Sequence, residues 1–189
     1  MLITFFLPHD HTDDSHEFLR VLIDQLSDDL CDKTQQQNSK PQKVTELQLD
    51  NMSFLVKANY FWRLHLSQNS SIITDNFCGQ LVSTIECTVC KTKRFCFDPF
   101  YDLSLPFPKA SVHHREYRRR FNHRLSISRI YDEEQTPCLI DDCFREFTKD
   151  ELLSGENMAE CGTCREKRES ITRMQVIRFP RILVLHLKR

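Results

Sequence analysis

Apolar residues recur every four positions at Phe18, Leu22, Leu26 and Leu30, and Leu19 and Ile23 widen the stripe. That spacing predicts an α-helix over "DDSHEFLRVLIDQLSDDL". Asp14, followed three positions later by Glu17, makes a capping-box-like start, with Asp where Ser or Thr is usual. Residues 32–43, "DKTQQQNSKPQK", are polar and without period, which predicts a loop. Apolar spacing resumes in "ELQLDNMSFLVKANYFWRLHLSQ", and its second half, from about Phe54 to Leu66, predicts a second helix.

The pattern then changes. "SIITDNFCGQLVSTIEC" is rich in β-branched residues and partly alternates, so extended strands are expected around Gly79. "RFCFDPFYDLSLPFP" alternates at Phe95 and Phe97, then at Leu103 and Leu105, with Pro99 breaking the strand or placing it at an edge. Residues 109–136 form an insertion-like segment, basic around "REYRRRFNHR" and then acidic. "LIDDCFREF" and "TKDELL" predict two short helical turns, and Thr148 to Glu151 forms a second capping-box pattern. Strands close the chain, and the nearly continuous apolar run from Ile182 to Leu187 predicts a strand buried on both faces.

Composition narrows the function. With 189 residues the chain has room for one domain or one and a half. A net charge of −1 favours neither a nucleic-acid nor a membrane partner. Three glycines leave no Gly-rich phosphate loop. "MLITFFLP" ends at Pro8 and lacks a basic flank, so it does not read as a signal peptide. No apolar run approaches the ~18 residues of a membrane span. Nine cysteines with no signal peptide imply a reducing compartment, hence an intracellular location in cytoplasm, nucleus or both.

Cys87 and Cys90 form one Cys-x-x-Cys pair, and Cys161 and Cys164 form a second. Together they supply four thiolates, the closed tetrahedral shell that structural Zn²⁺ prefers. Gly162 is expected to ease the second turn, and Lys91, Lys93 and Arg165 to offset the net −2 of a Zn–Cys₄ centre. The gap between the pairs exceeds that of a zinc ribbon, so a redox dithiol and two unrelated thiol pairs stay open on spacing alone.

Five ordered stretches resemble the ubiquitin-specific proteases, which are papain-like cysteine deubiquitinases: "DDSHEFLRVLIDQL", "SSIITDNFCGQLVSTIECTVC", "FDPFYDLSLPFP", "CFREFTKDELLSGENMAECGTC" and "RFPRILVLHLKR". The resemblance spans the chain except residues 32–50 and 109–136. It implies an α+β hand-shaped fold: part of a thumb over residues 1–66, and zinc-bearing β-fingers with part of a palm over residues 71–189. Zinc held by Cys87, Cys90, Cys161 and Cys164 follows from it, as do ubiquitin and ubiquitinated proteins as partners. It also places Asp14 and Glu17 beside the channel for ubiquitin's arginine-containing tail, where carboxylates make charge-assisted hydrogen bonds. Thr12 and Asp13 stand where the family often has Gln-Gln.

The family's catalytic Cys block and His block are not found, so these 189 residues alone are expected to be inactive. Asn76 and Cys78 resemble an N-x-C motif only superficially, and Cys78 is expected to be a bystander. His16 reads as a helix-surface or supporting residue and His186 as a satisfied core histidine. Cys31, Cys96, Cys138 and Cys143 read as inert side chains in or near the core. The alternatives are a non-catalytic zinc-containing ubiquitin-binding module and, more remotely, a nucleic-acid binder using Arg118 to Arg120.

Overall fold

A computed structural model describes residues 15–31, 44–108 and 138–188. The expected loop at 32–43 and the basic segment at 109–136 therefore lie outside the described residues, as does Asp14. Helix α1 spans Ser15–Asp29. Its buried residue is Ile23, while Leu19, Leu22 and Leu26 are half-buried. Phe18 and Leu30, expected on the inner stripe, are exposed. A short helix, α2 (Glu46–Asp50), precedes α3 (Phe54–Gln68). Phe61 of α3 stacks on Phe97 at 5.6 Å, with Phe54 tilted against the same ring at 5.5 Å.

The stretch after α3 departs from the expected strand. Ile72–Phe77 is a helix, α4. Ser71 is its cap: the Ser71 hydroxyl accepts a hydrogen bond from the Thr74 N–H at 3.1 Å. That cap outweighs the β-branched run Ile72, Ile73, Thr74, whose propensity cost is a few tenths of a kcal/mol per residue. α4 also packs against α1, where the Ser27 hydroxyl lies 3.2 Å from Ser71 and 3.4 Å from Thr74.

Strand β1 (Gly79–Cys87) turns back through residues 88–92 into β2 (Lys93–Phe100), and β3 (Asp102–Pro106) follows. After helix α5 (Ile140–Phe147) come β4 (Glu151–Leu153), β5 (Ala159–Cys161), β6 (Glu166–Arg168), β7 (Ser170–Arg178) and β8 (Val184–Lys188). One sheet has the order β2-β1-β7-β4, and β3-β8 and β5-β6 form two-stranded sheets. Pro99 lies within β2, which stands at the end of its sheet's strand order, the edge position where a strand proline is expected.

"TKDELL" is not helical beyond Thr148. Residues 151–153 pair antiparallel with β7, with Leu152 opposite Ile171. The Thr148 hydroxyl donates back to the carbonyls of Phe144 and Arg145, so it closes α5 instead of opening a new helix. The run Ile182 to Leu187 is not buried on both faces either: Ile182 is 49% and Leu187 38% exposed, and β8 has β3 as its only strand partner among the described residues.

By backbone contacts the chain divides into two units. One holds α1 to α4, the start of β1, the end of β2 and residues 177–184. Its buried residues include Ala58, Phe97 and Phe100, with half-buried Phe61 and the more exposed Phe54 packed on the Phe97 ring. The other holds residues 82–96, β3, α5, β4 to β6 and most of β7. Leu103 and Leu105 are almost fully buried there, beside Val82 and Cys143 among its core residues.

Candidate metal centre

Cys87 ends β1, and Cys90 sits in the turn that leads to β2. Cys161 ends β5, and Cys164 sits in the turn that leads to β6. The four sulfurs all lie within 4.8 Å of one another, with Cys90 and Cys161 at 3.4 Å. Cys87 and Cys161 are buried, while Cys90 and Cys164 are half-buried.

The two turns have the same construction. The Lys91 N–H donates to the Cys87 carbonyl at 3.0 Å, and the Arg165 N–H donates to the Cys161 carbonyl at 2.7 Å. Each donor follows the second cysteine of its pair, and each is left-handed, with φ 59° at Lys91 and 57° at Arg165. Gly162, expected to ease the turn, is not among the positive-φ residues, and a Cβ there would meet no atom within 4 Å. The left-handed burden falls one residue after each Cys-x-x-Cys, on two basic side chains. Lys91→Gly or Arg165→Gly is therefore expected to leave stability unchanged or raise it by up to about 1 kcal/mol, and Gly162→Ala to shift it by only a few tenths. Thermal melts of the metal-loaded chain would check this, and a loss above about 1 kcal/mol in Arg165→Gly would contradict it.

Hydrogen bonds lock the turns together. The Thr92 and Thr163 hydroxyls meet at 3.1 Å, and the Cys164 N–H donates to the Cys161 sulfur at 3.5 Å. Thr88 donates to the Glu169 carbonyl through both its N–H, at 3.0 Å, and its hydroxyl, at 2.8 Å.

The donor set fits a soft divalent cation. A tetrahedron with Zn–S near 2.3 Å puts its sulfurs about 3.8 Å apart, within the spread of this cluster. Without a cation the four thiols are at odds. Thr92, through its hydroxyl and then its backbone, draws Cys90 down to about 6. The Cys90 sulfur, followed by desolvation and the other two sulfurs, pushes Cys164 up to about 12. Four thiolates this close need a compensating positive charge. Lys91 and Arg165 each directly follow the second cysteine of a pair, and Lys93 pairs with Glu86 at 3.2 Å.

Glu17 lies exposed in the first turn of α1. Beside it, His16 Nε2 is 2.7 Å from Asp102 Oδ2, with both side chains mostly buried, and Arg20 Nε is 3.6 Å from Oδ1. This contact fixes the first turn of α1 to the residue that opens β3. No spacing in the sequence announces it, because the partners are 86 positions apart. His186, expected in the core, is half-buried with Nδ1 3.2 Å from the Ser104 hydroxyl.

Cys78 is 4% exposed, with its sulfur 3.4 Å from His65 Nε2. Asn69 Nδ2 lies 3.3 Å from His65 Nδ1. The arrangement resembles a Cys-His-Asn triad in outline, but burial sets its chemistry. It raises the Cys78 thiol to about 11 and lowers His65, so the pair stays neutral and holds no thiolate at neutral pH. Of the cysteines expected to be inert core residues, Cys143 is buried and Cys31 half-buried, whereas Cys96 and Cys138 are exposed.

Helices joined to antiparallel hairpins, with a four-cysteine cluster at two matched turns that could hold a metal ion, define an α+β domain. The family model for ubiquitin carboxyl-terminal hydrolase matches residues 4–189, and the chain belongs to that family. It is 36% identical over 176 residues to human ubiquitin carboxyl-terminal hydrolase 2, covering 93% of this chain and 24% of that protein. It is 32% identical over 176 residues to Drosophila melanogaster ubiquitin carboxyl-terminal hydrolase Usp2, covering 93% and 15%. Among solved structures, the SAGA DUB module Ubp8/Sgf11/Sus1/Sgf73 bound to monoubiquitin aligns with TM-score 0.53 and 23% identity, over 94% of this chain and 27% of that one. The chain thus spans about a quarter or less of the relatives it matches.

Proposed function

We propose that this chain supplies the ubiquitin-holding part of a deubiquitinase, a cysteine-type isopeptidase that removes ubiquitin from proteins in cytoplasm, nucleus or both. The observation that carries this reading is the pair of matched cysteine turns within the family's fold. Cys87, Cys90, Cys161 and Cys164 hold a structural zinc ion, which supplies charge compensation and cross-linking and takes no part in bond cleavage. The similar SAGA module is described as bound to monoubiquitin, which supports ubiquitin as the partner here. The relatives are hydrolases by name, which does not favour the non-catalytic alternative.

Glu17 accepts hydrogen bonds from the guanidinium groups of ubiquitin's tail, with Asp14, three positions earlier in the sequence, doing the same. The His16–Asp102 contact holds the turn that presents Glu17. Cleavage needs a thiolate beside an imidazole. Burial disfavours a thiolate at the Cys78–His65 pair, which supports catalysis lying elsewhere, and the chain by itself is expected not to turn over a ubiquitin-tail reporter.

Calorimetric titration of the chain with ubiquitin tests the binding role. Glu17→Gln is expected to weaken binding about tenfold, the effect of one lost charge-assisted hydrogen bond of about 1.5 kcal/mol. Unchanged affinity in both Glu17→Gln and Asp14→Asn would remove the tail-binding role. Reporter turnover by the chain alone would overturn the assignment of catalysis elsewhere.

A further inference from the structure

Helix α5 begins with two thiols in contact. Cys138 and Cys143 are five positions apart, and their sulfurs lie 3.7 Å from each other. Their exposures are opposite: Cys138 is exposed, while Cys143 is 2% exposed. The first turn between them is well built. The Asp142 and Cys143 N–H groups donate to the Leu139 carbonyl at 3.0 and 3.4 Å, and the Leu139 N–H donates to Asp142 Oδ2 at 3.3 Å. Arg145 holds the other Asp142 oxygen at 3.0 Å.

We propose that Cys138 and Cys143 form a redox-modification site: a dithiol that closes to an intramolecular disulfide when a small-molecule disulfide such as oxidised glutathione is present. The exposed sulfur meets the oxidant, and the buried one is placed to resolve the adduct. A disulfide bond is about 2.05 Å long, so the sulfurs must approach by roughly 1.6 Å, within reach of side-chain rotation at the exposed Cys138. The Cys138 thiolate attacks one glutathione sulfur, forming a mixed disulfide and expelling one glutathione thiolate. The Cys143 thiolate then attacks the Cys138 sulfur and expels the second glutathione. Two thiol protons and two electrons leave the protein, and two reduced glutathiones carry them.

The cluster's zinc-type cysteines are separate from this pair. Desolvation, then the Cys143 sulfur and the Asp142 carboxylate, hold the Cys138 thiol up at about 11, so exchange is slow at neutral pH and an equilibrium measurement suits it. The resulting bond pins residue 138 to the buried Cys143 of α5.

The test equilibrates the zinc-loaded chain in glutathione buffers of graded oxidising strength, quenches with acid, and maps thiols by mass spectrometry. Cleavage after Arg129 and Arg145 releases one tryptic peptide containing both cysteines. In the wild type that peptide is expected to lose two hydrogens and to carry no glutathione. In Cys143→Ala, Cys138 is expected to accumulate as the glutathione adduct. In Cys138→Ser, an exposed and fold-neutral change, Cys143 is expected to stay unmodified. The proposal is overturned if Cys138 carries glutathione equally in wild type and Cys143→Ala. It is also overturned if Cys143 is modified in Cys138→Ser, or if both thiols stay reduced in buffers that modify exposed Cys96.

Discussion

Cys87→Ser combined with Cys161→Ser is expected to abolish zinc retention and to melt the hairpins that carry the four cysteines. Each substitution removes the buried sulfur of one turn and leaves the half-buried Cys90 and Cys164 as two ligands. Two thiolates with two weak hydroxyl donors no longer match the closed four-sulfur shell. The free energy at stake is large: structural zinc contributes about 10 kcal/mol to small domains that depend on it. The hairpin β5-β6 has three residues in each strand, far too few to hold together without the cross-link. Metal analysis should find one zinc per wild-type chain and none in the double variant. Far-UV circular dichroism should show strand loss in the variant, and chelator treatment of the wild type should reproduce it. Wild-type protein purified without zinc yet fully folded would refute the structural role.

The second large effect is expected at Gly79, the first residue of β1. A Cβ there would run into the Phe100 ring on one side and come within 2.7 Å of the Arg178 carbonyl oxygen on the other. The ring is itself buried and the carbonyl is backbone, so neither neighbour yields cheaply. Gly79→Ala is therefore expected to cost about 3 kcal/mol, at the upper end of overpacking penalties, since backbone as well as side chain must shift. Chemical denaturation with an unchanged m-value would register this as a lower midpoint. A loss below about 0.5 kcal/mol would show that β1 and residue 178 separate more easily than their packing implies.

Gly79 also illustrates what the sequence made legible. A glycine inside an alternating stretch marks a close approach, but the approaching groups, Phe100 and Arg178, are visible only in three dimensions. α1 was readable because its apolar spacing is local, while the exposure of Phe18 and Leu30 depends on what packs nearby. Ile72–Phe77 departs from the expected strand because its β-branched residues carry a stronger sequence signal than the single capping Ser71 that sets the helix. Residues 151–153 depart from the expected helical turn because Thr148 and Glu151 imitate a capping box, whereas pairing with β7 about twenty positions later decides the outcome. The four cysteines announce themselves by spacing, and the family resemblance joined the two pairs. The left-handed turns at Lys91 and Arg165 do not, because basic residues carry no signature of φ. Neither could the His16–Asp102 contact or the Cys138–Cys143 contact be read from a period.

The cysteine cluster has a further consequence for the stretch between its halves. Cys90 and Cys161 are 71 positions apart and meet at one point, so an ion there closes a long loop containing the basic segment. Loop-closure entropy grows only with the logarithm of length, and each doubling costs about 0.6 kcal/mol. Removing residues 109–136 would change that cost by only about half a kcal/mol. By chain entropy alone the cluster is therefore a clasp whose closing cost is nearly indifferent to the number of residues between its two halves.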